Sequence, residues 1–215
     1  MTDTTELTPE LLLNAYCSGV FPMAETSKDT SVFWVDPERR GVIPLNGFHV
    51  SKSLRKRLLS GKYKFTINTC FELVLDACAN RDETWINPAI RTRYNELHHL
   101  GFAHSVEVWK DDELAGGLYG VSIGGAFFGE SMFSTTTDGS KLALVALVAR
   151  LKVGGFTLLD TQFLTDHLAT MGGIEVARKD FRNSLEVALE IDSDLWKLPA
   201  ETSPYELWQL STQTS

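Results

Sequence analysis

The chain has 215 residues, of which 43% are hydrophobic, so it can bury a substantial core as one large domain or as a main domain with a small appendage. No apolar run approaches the ~20 residues of a membrane span, and the acidic, polar first six residues lack the features of a secretory signal. Three cysteines without metal-ligand spacing exclude a disulfide scaffold and predict a reduced, cytoplasmic protein without structural disulfides.

The net charge of −8 is unevenly distributed along the chain. Residues 37–93 carry 11 Lys and Arg against five Asp and Glu, while the remainder is strongly acidic. This asymmetry predicts a polyanion site on an acidic body, and the shortness of the patch suits an RNA end better than a long duplex. The alternative, a solvated helix face at 52–57, stays open.

The first predicted elements form a small N-terminal unit. Thr8 as N-cap and Pro9 as the first helical residue predict a helix over 7–19. The chain then breaks at Asp36-Pro37, after a polar loop and an aromatic segment. So small a unit needs to pack on the rest of the chain to be stable. The predicted division is residues 1–36 and 37–215.

The main body is predicted to start with helices and short strands and to continue with an antiparallel meander. Hydrophobic periodicity, caps and glycines give a strand over 41–44, a basic helix over 51–59 that begins at Ser51, a strand over 63–68, and helices over 71–79 and 88–100. The meander has strands over 104–110, 113–123 and 126–133, with turns at Asp111-Asp112 and Gly124-Gly125.

The last third of the chain is predicted to alternate helices and strands. The elements are an apolar helix over 140–152, a strand over 156–160, a short helix over 165–171, a helix over 181–191 and a polar, loosely held tail over 202–215. The fold class is therefore α/β (α+β), with a mixed, largely antiparallel sheet. The order of the elements resembles the N-acetyltransferase (GNAT) superfamily fold.

Two polar groups at the ends of apolar strands are the candidate chemistry. Glu130 lies inside an aromatic and apolar run, where a carboxylate is either paired within the fold or open to a cationic ligand. Asp160-Thr161-Gln162 follows a buried strand, the place where α/β folds usually hold their reactive groups. The alternatives are an exposed Glu at a strand end and a strand-end hydrogen-bond network.

Several common kinds of site are absent from the sequence. No glycine loop carries the Lys-Ser/Thr of a nucleotide triphosphate site, and no Ser or Cys stands in a nucleophile elbow. The adjacent His98 and His99 cannot easily share one metal. The chain is therefore interpreted as a transferase that works by binding and orientation, without a covalent intermediate.

A set of short motifs is together very specific, although no single one is. They are residues 15–16, 19–22, 34, 36–37, 84–86, 94, 97–98, 100–101, 103–109, 116–121, 129–134, 160–162 and 166–167. On these residues the chain resembles the leucyl/phenylalanyl-tRNA–protein transferases over nearly its whole length.

The resemblance implies an activity. Such enzymes move leucine or phenylalanine from aminoacyl-tRNA to the N-terminal Arg or Lys of a protein, which marks that protein for degradation by the N-end rule pathway. The implied fold is a small N-terminal domain on an acetyltransferase-like domain. An aminoacyl ester is already activated, so no ATP, metal or other cofactor is expected. The expected partners are aminoacyl-tRNA and acceptor proteins, with no membrane, and the expected state is a monomer.

The resemblance also implies roles for individual residues. Gln162 contacts the attacking amine, Asp160 polarises Gln162, and Glu130 and Thr165 bind the acceptor. The residues expected at the aminoacyl-tRNA 3′ end are Trp85, Tyr94, Met23, Leu118, Phe127 and Met132. Charge adds Lys52, Arg55, Lys56 and Arg57 as contacts to the tRNA backbone.

Two positions depart from the family pattern. Met23 stands in place of a Trp that packs on the terminal adenine, and a thioether offers no flat stacking surface. Thr165 stands in place of an Asn, so the acceptor preference is expected to be broader or shifted.

Three other functions remain possible from the sequence. One is an acyl-CoA N-acetyltransferase, for which residues 135–140 are a poor pyrophosphate loop. The second is a peptidoglycan-bridge aminoacyltransferase, which usually needs a larger chain. The third is a non-catalytic protein that binds tRNA ends, in which Asp160 and Gln162 would have no role.

Overall fold

The structure is a computed structural model that describes residues 7–29, 31–80 and 84–213. The predictions that fall on residues 1–6, 30, 81–83 and 214–215, including the positive charge of Arg81, lie outside the described residues. The first helix, α1 (Pro9–Cys17), begins as predicted, because the side chain of Thr8 accepts a hydrogen bond from the backbone N–H of Leu11. It ends before Gly19, whose φ of +79° lets the chain turn sharply.

A two-stranded antiparallel sheet follows α1. It pairs β1 (Phe21–Met23) with β2 (Phe33–Val35), so that Met23 lies opposite Phe33. The sequence predicted only that the chain leaves the helix here. Three-residue strands are too short to show an alternating pattern, and Pro22 is a residue that usually argues against a strand.

In the part of the chain that the structure describes, seven strands form the main sheet, in the order β4-β5-β6-β7-β8-β3-β9. They are β3 (Arg39–Val42), β4 (Lys64–Ile67), β5 (Ala103–Lys110), β6 (Glu113–Ile123), β7 (Ala126–Ser134), β8 (Leu158–Gln162) and β9 (Ile174–Ala177). Every neighbouring pair is antiparallel except β7 and β8, which are parallel. The predicted mixed, largely antiparallel α/β sheet is confirmed. The sequence missed β9, a four-residue strand at the edge.

Helices cover both faces of this sheet. They are α2 (Lys52–Leu58), α3 (Phe71–Ala79), α4 (Pro88–His99), α5 (Gly139–Gly154), α6 (Asp166–Ala169), α7 (Arg178–Leu189) and α8 (Pro204–Thr212). One core lies under α2, α5 and α8, and the other lies under α1, α3, α4 and α7. Helix α5 is apolar on all sides and 13 of its residues are buried, as expected for a helix in a core.

The prediction of a loosely held tail is wrong for residues 203–212. Ser203 and Glu206 form a capping box that starts α8, and Leu207 is buried against the core. The segment before α8 is held by the buried Arg150, which donates hydrogen bonds to the carbonyl oxygens of Leu195, Leu198 and Pro199. The Ser-Pro-x-Glu capping box was a sequence signal for this short helix that the prediction overlooked, and the helix depends on tertiary contacts for its stability.

Candidate active site

The site lies where the parallel strands β7 and β8 separate. Their pairing ends at Phe128 and Asp160, and the next residues of both strands diverge. The register of β6 and β7 shifts there as well, since Tyr119 pairs with Ser131 but Gly120 pairs with Gly129. Glu130 is therefore the extra residue of a β-bulge, a feature that re-aims a side chain beside many active sites.

A pocket of about 400 Å³ opens at this divergence. The structure brings six predicted residues to its wall, which are Trp85, Leu118, Glu130, Met132, Gln162 and Thr165. Further apolar and polar residues that sequence reasoning missed complete the wall, among them Leu144, Leu147, Leu168, Ser140 and His167. In the sequence Leu144, Leu147, Leu168 and Ser140 read as ordinary core or helix positions, and only His167 belongs to one of the short motifs.

Glu130 is held by hydrogen bonds from Tyr94 and Gln162, and Tyr16 supports Tyr94. The hydroxyl of Tyr94 donates to Oε2 at 2.8 Å, and the amide nitrogen of Gln162 donates to Oε1 at 2.8 Å. Tyr16 hydrogen-bonds to Tyr94 in turn. Only 7% of Glu130 is exposed, which excludes the alternative of an exposed carboxylate at a strand end.

Burial sets the protonation of this cluster. Desolvation raises the pKa of Glu130 to about 7, although the hydrogen bonds from Tyr16, Tyr94 and Gln162 act in the opposite direction. Desolvation also raises the pKa of Tyr16 and of Tyr94 well above the usual value, so both phenols stay protonated and can donate. The pocket thus presents a carboxylate that changes charge near neutral pH.

Asp160 is fully buried and bound to Arg40. Nε of Arg40 donates to Oδ1 at 2.8 Å, and Nη2 donates to Oδ2 at 2.7 Å. Oδ1 also accepts the backbone N–H of Gln162 at 3.0 Å. Asp160 therefore contacts Gln162 through the backbone N–H, while the side-chain amide of Gln162 reaches Glu130.

Gln162 has an unusual backbone conformation, with a φ of +63°. Residues other than glycine rarely adopt this left-handed region, and such strain is common at functional sites. Its amide nitrogen faces the carboxylate of Glu130. Because a carboxylate only accepts hydrogen bonds, the carbonyl oxygen of the same amide is left for a donor in the pocket.

Several predicted site residues lie away from the pocket. The ring of Phe127 is fully buried against the backbone of Gly120, outside the pocket wall. Tyr94 lies behind Glu130, and Met23 lies on β1 outside the pocket wall. Thr165 lines the pocket, but its hydroxyl also accepts the backbone N–H of Leu168 as the N-cap of α6.

The four basic residues predicted to contact RNA all lie on α2, and none of them is among the residues that line the pocket. Arg55 packs over the ring of Trp208, 3.8 Å from its centroid, and Arg57 forms an ion pair with Asp138 at 2.9 Å. Lys52 and Lys56 are exposed. The helix is therefore partly engaged with the fold and partly open to solvent.

Within residues 7–29, 31–80 and 84–213, no three His, Cys, Asp or Glu side chains lie together as a metal site would require. The helices in the same ranges include none that is long and apolar enough to cross a membrane.

Comparison with known proteins identifies a family and individual relatives whose matched regions include all the residues of the pocket wall. The family described as leucyl/phenylalanyl-tRNA protein transferase matches residues 42–186, and its N-terminal domain matches residues 5–38. A leucyl/phenylalanyl-tRNA–protein transferase of Ruegeria sp. (strain TM1040) is 57% identical over 209 residues, which cover 97% of this chain and 99% of the relative. One from Jannaschia sp. (strain CCS1) is 54% identical over 195 residues, with 91% and 92% covered.

Among solved structures, FemX aligns with a TM-score of 0.46 and 11% sequence identity, over 82% of this chain and 71% of FemX.

Proposed function

Since the chain belongs to the leucyl/phenylalanyl-tRNA protein transferase family, we propose that it moves leucine or phenylalanine from aminoacyl-tRNA to proteins that begin with Arg or Lys. That it is an aminoacyltransferase of this family follows from the match over nearly its full length. The choice of acceptor is carried by one observation, the buried Glu130 that opens on the pocket beside Gln162.

The chemistry needs placement more than activation, because an aminoacyl ester is already reactive. Attack by the α-amine forms a C–N bond, the ester C–O bond breaks, the amine loses a proton and the leaving ribose oxygen gains one. Correct placement of amine and ester can supply about 7–11 kcal/mol of the barrier. The carbonyl oxygen of Gln162 is suited to accept a hydrogen bond from the amine. This bond would orient the amine so that the nitrogen lone pair points at the ester carbonyl carbon.

Glu130 is suited to bind the cationic side chain of the acceptor. Its carboxylate oxygens accept hydrogen bonds from Tyr94 and Gln162, and an ionised carboxylate has further acceptor capacity for a cationic ligand. A cation in the pocket favours the ionised carboxylate and so opposes the desolvation that raises its pKa. Acceptor binding and ionisation of Glu130 are then coupled.

The apolar part of the pocket is suited to the side chain of the transferred residue. Leu118 and Met132 from the sheet and Leu144 and Leu147 from α5 all line the pocket. Such a surface favours leucine or phenylalanine over polar side chains, because burial of apolar area contributes roughly 25 cal/mol per Å².

Trp85 is the candidate platform for the terminal adenine, since its half-buried ring lies at the pocket wall. We expect Trp85→Ala to weaken aminoacyl-tRNA binding by ~1–3 kcal/mol, or roughly 5–150-fold in Kd. Trp85→Phe is the matched control and should keep most of the affinity, because it retains an aromatic face. Equal binding by the wild type and Trp85→Ala in a filter-binding titration would show that the base stacks elsewhere.

Helix α2 is the candidate contact to the RNA backbone, and its two exposed lysines give the cleanest test. We expect Lys52→Ala/Lys56→Ala to weaken tRNA binding and to lower the slope of log Kd against log salt by up to about 2. Arg55 and Arg57 are less informative, because their substitution also breaks contacts to Trp208 and Asp138. Lys179→Ala, on α7 across the sheet, is the control, and an unchanged slope in the double variant would make α2 a solvated face.

The proposal also covers the domain organisation of the protein, its location in the cell and its oligomeric state. The antiparallel meander followed by the parallel β7–α5–β8 unit supports an N-acetyltransferase-like catalytic domain at 37–215. The separate β1–β2 sheet supports a small N-terminal domain at 1–36. We place the enzyme in the cytoplasm as a monomer, where aminoacyl-tRNA is available, and assign the product to the N-end rule pathway.

One experiment tests the activity itself. The purified protein is incubated with tRNA charged with labelled leucine and with a peptide that begins with Arg. Label is expected in the peptide when its α-amine is free and not when the same peptide is acetylated at its N-terminus. A free peptide that stays unlabelled would contradict the proposal and favour a protein that only binds tRNA ends.

A further inference from the structure

Arg40 is a buried arginine bonded to Asp160 beside the proposed chemistry, a location that its sequence context does not predict. Only 1% of it is exposed, although it belongs to the basic segment that suggests RNA contact. Its guanidinium binds both oxygens of Asp160, and Nη1 donates to the carbonyl oxygen of Gly19 at 3.0 Å. The planar group lies between the rings of Phe21 and Phe181, 4.5 Å from each centroid.

We propose that Arg40 is a positioning residue for the transfer reaction, which acts through Asp160 to hold Gln162 in the conformation that meets the acceptor amine. The inference rests on the proposed function. In this proposal Arg40 contacts neither substrate. Asp160 is an anion that Arg40 holds in a fixed orientation, and its Oδ1 in turn fixes the backbone of Gln162.

A continuous set of contacts connects Arg40 to the amide of Gln162. Oδ1 of Asp160 accepts both Nε of Arg40 and the backbone N–H of Gln162. That N–H belongs to the residue in the left-handed conformation, whose side chain reaches Glu130. If the carboxylate is free to rotate, this bond is lost, and the backbone can relax toward the ordinary negative φ. The amide would then leave Glu130 and the pocket.

Asp160 is poorly placed to take the proton of the amine itself. It is completely buried, and its two oxygens are occupied by Arg40 and the Gln162 backbone. A bidentate pair of this kind fixes direction as well as charge, which a lysine at position 40 cannot do with a single ammonium. The fork of Arg40 is therefore the feature that the proposal requires.

The same side chain connects the site to the N-terminal unit. Gly19 and Phe21, which contact Arg40, belong to the turn after α1 and to β1. A Cβ at Gly19 would lie 3.3 Å from the ring of Phe181, so this turn is closely packed against the same cluster. The conformation of Gln162 thus depends on a segment that contributes no wall to the pocket.

A double-mutant cycle separates positioning from simple stabilisation. Arg40→Lys, Gln162→Ala and the combined variant are compared with the wild type in single-turnover transfer of leucine to an Arg-starting peptide. If Arg40 acts through Gln162, Arg40→Lys should lower the transfer rate by about tenfold or more alone, and by less than about threefold when Gln162 is already alanine. The KM for aminoacyl-tRNA should stay unchanged.

The control for stability is Arg150→Lys, a second buried arginine, which binds carbonyl oxygens near α8 away from the pocket. It should lower the melting temperature without lowering the transfer rate at a temperature where the fold is intact. If Arg40→Lys does not fold, the double variant Arg40→Met/Asp160→Asn replaces it in the cycle, because it removes both buried charges together. The expected losses of transfer rate, with glutamine and with alanine at position 162, are the same.

If Arg40→Lys lowers the transfer rate by the same factor in the wild type and in Gln162→Ala, the inference is overturned and Arg40 is a structural residue. That result differs from failure of the proposed function, in which the wild type itself transfers no leucine.

Discussion

Replacing Gln162 by alanine is expected to lower the rate of leucine transfer by ~10²-fold or more, the loss that misplacement of a reacting group can cause. The amide is fixed by Glu130 on one side and leaves its carbonyl oxygen for the attacking amine on the other. Aminoacyl-tRNA binding should be nearly unchanged, since the proposed adenine and leucine contacts lie on Trp85 and the apolar wall. Single-turnover transfer, beside a tRNA-binding titration and a melting curve, measures all three quantities.

The matched control for this variant is Gln209→Ala on α8, which removes an equal side chain far from the pocket. Asp160→Ala is a less direct test of chemistry, because it leaves the buried Arg40 without its partner. Breaking a buried ion pair in this way costs about 3–5 kcal/mol of folding free energy. Transfer by Gln162→Ala within about threefold of the wild type would contradict the assigned role.

Glu130→Gln is expected to remove most of the preference for a cationic first residue. Removing one partner of a largely desolvated charge pair costs ~2–5 kcal/mol, which corresponds to roughly 30–5,000-fold in the ratio of kcat/KM for an Arg-starting and a neutral-starting peptide. Binding of aminoacyl-tRNA should survive. If Glu130 is instead a structural carboxylate, the variant lowers the melting temperature and leaves the ratio unchanged.

The ratio is the informative quantity because the substitution also disturbs Gln162. A glutamine at position 130 has one acceptor oxygen and an NH₂ group, so it cannot accept from both Tyr94 and Gln162, and the neutral peptide will also react more slowly. This loss is common to both peptides and cancels in the ratio. The change in the ratio therefore reports the effect of the charge at position 130.

The pH dependence of the same ratio gives an internal check. The pKa of Glu130 is raised to about 7, so its cation-binding, ionised form is lost as the pH falls through that value. The preference for the Arg-starting peptide should therefore rise between about pH 6 and pH 8 in the wild type and stay flat in Glu130→Gln. Ionisation of the α-amine affects both peptides alike. A flat wild-type ratio would exclude titration of Glu130 as its source.

Local signals explain why much of the fold could be predicted from the sequence. Thr8, Ser51 and Asn87 accept backbone N–H groups at the starts of α1, α2 and α4, and such caps act over three residues. The hairpin turn at Asp111 and Asp112, both with positive φ, is local in the same way. The strands that were missed, β1, β2 and β9, have three or four residues each and depend on tertiary partners.

In the candidate site too, residues with a local sequence signal could be predicted, and residues defined by partners distant in the sequence could not. Glu130 could be predicted because a charge inside an aromatic run is anomalous on its own. Arg40 could not, because it is one cation among many and its partner Asp160 lies 120 residues further along the chain. Tyr16 reads as a core residue of α1, and only the folded chain brings its hydroxyl to Tyr94.

The proposed selectivity for Arg and Lys is tested most directly by transfer of labelled leucine from charged tRNA to peptides that differ only in their first residue. The pocket with Glu130 at its wall predicts efficient labelling of the peptides that begin with Arg and Lys, and weak labelling of those that begin with a neutral or acidic residue. Equal labelling of all the peptides would contradict the acceptor site at Glu130, and no labelling of any would contradict the transfer activity.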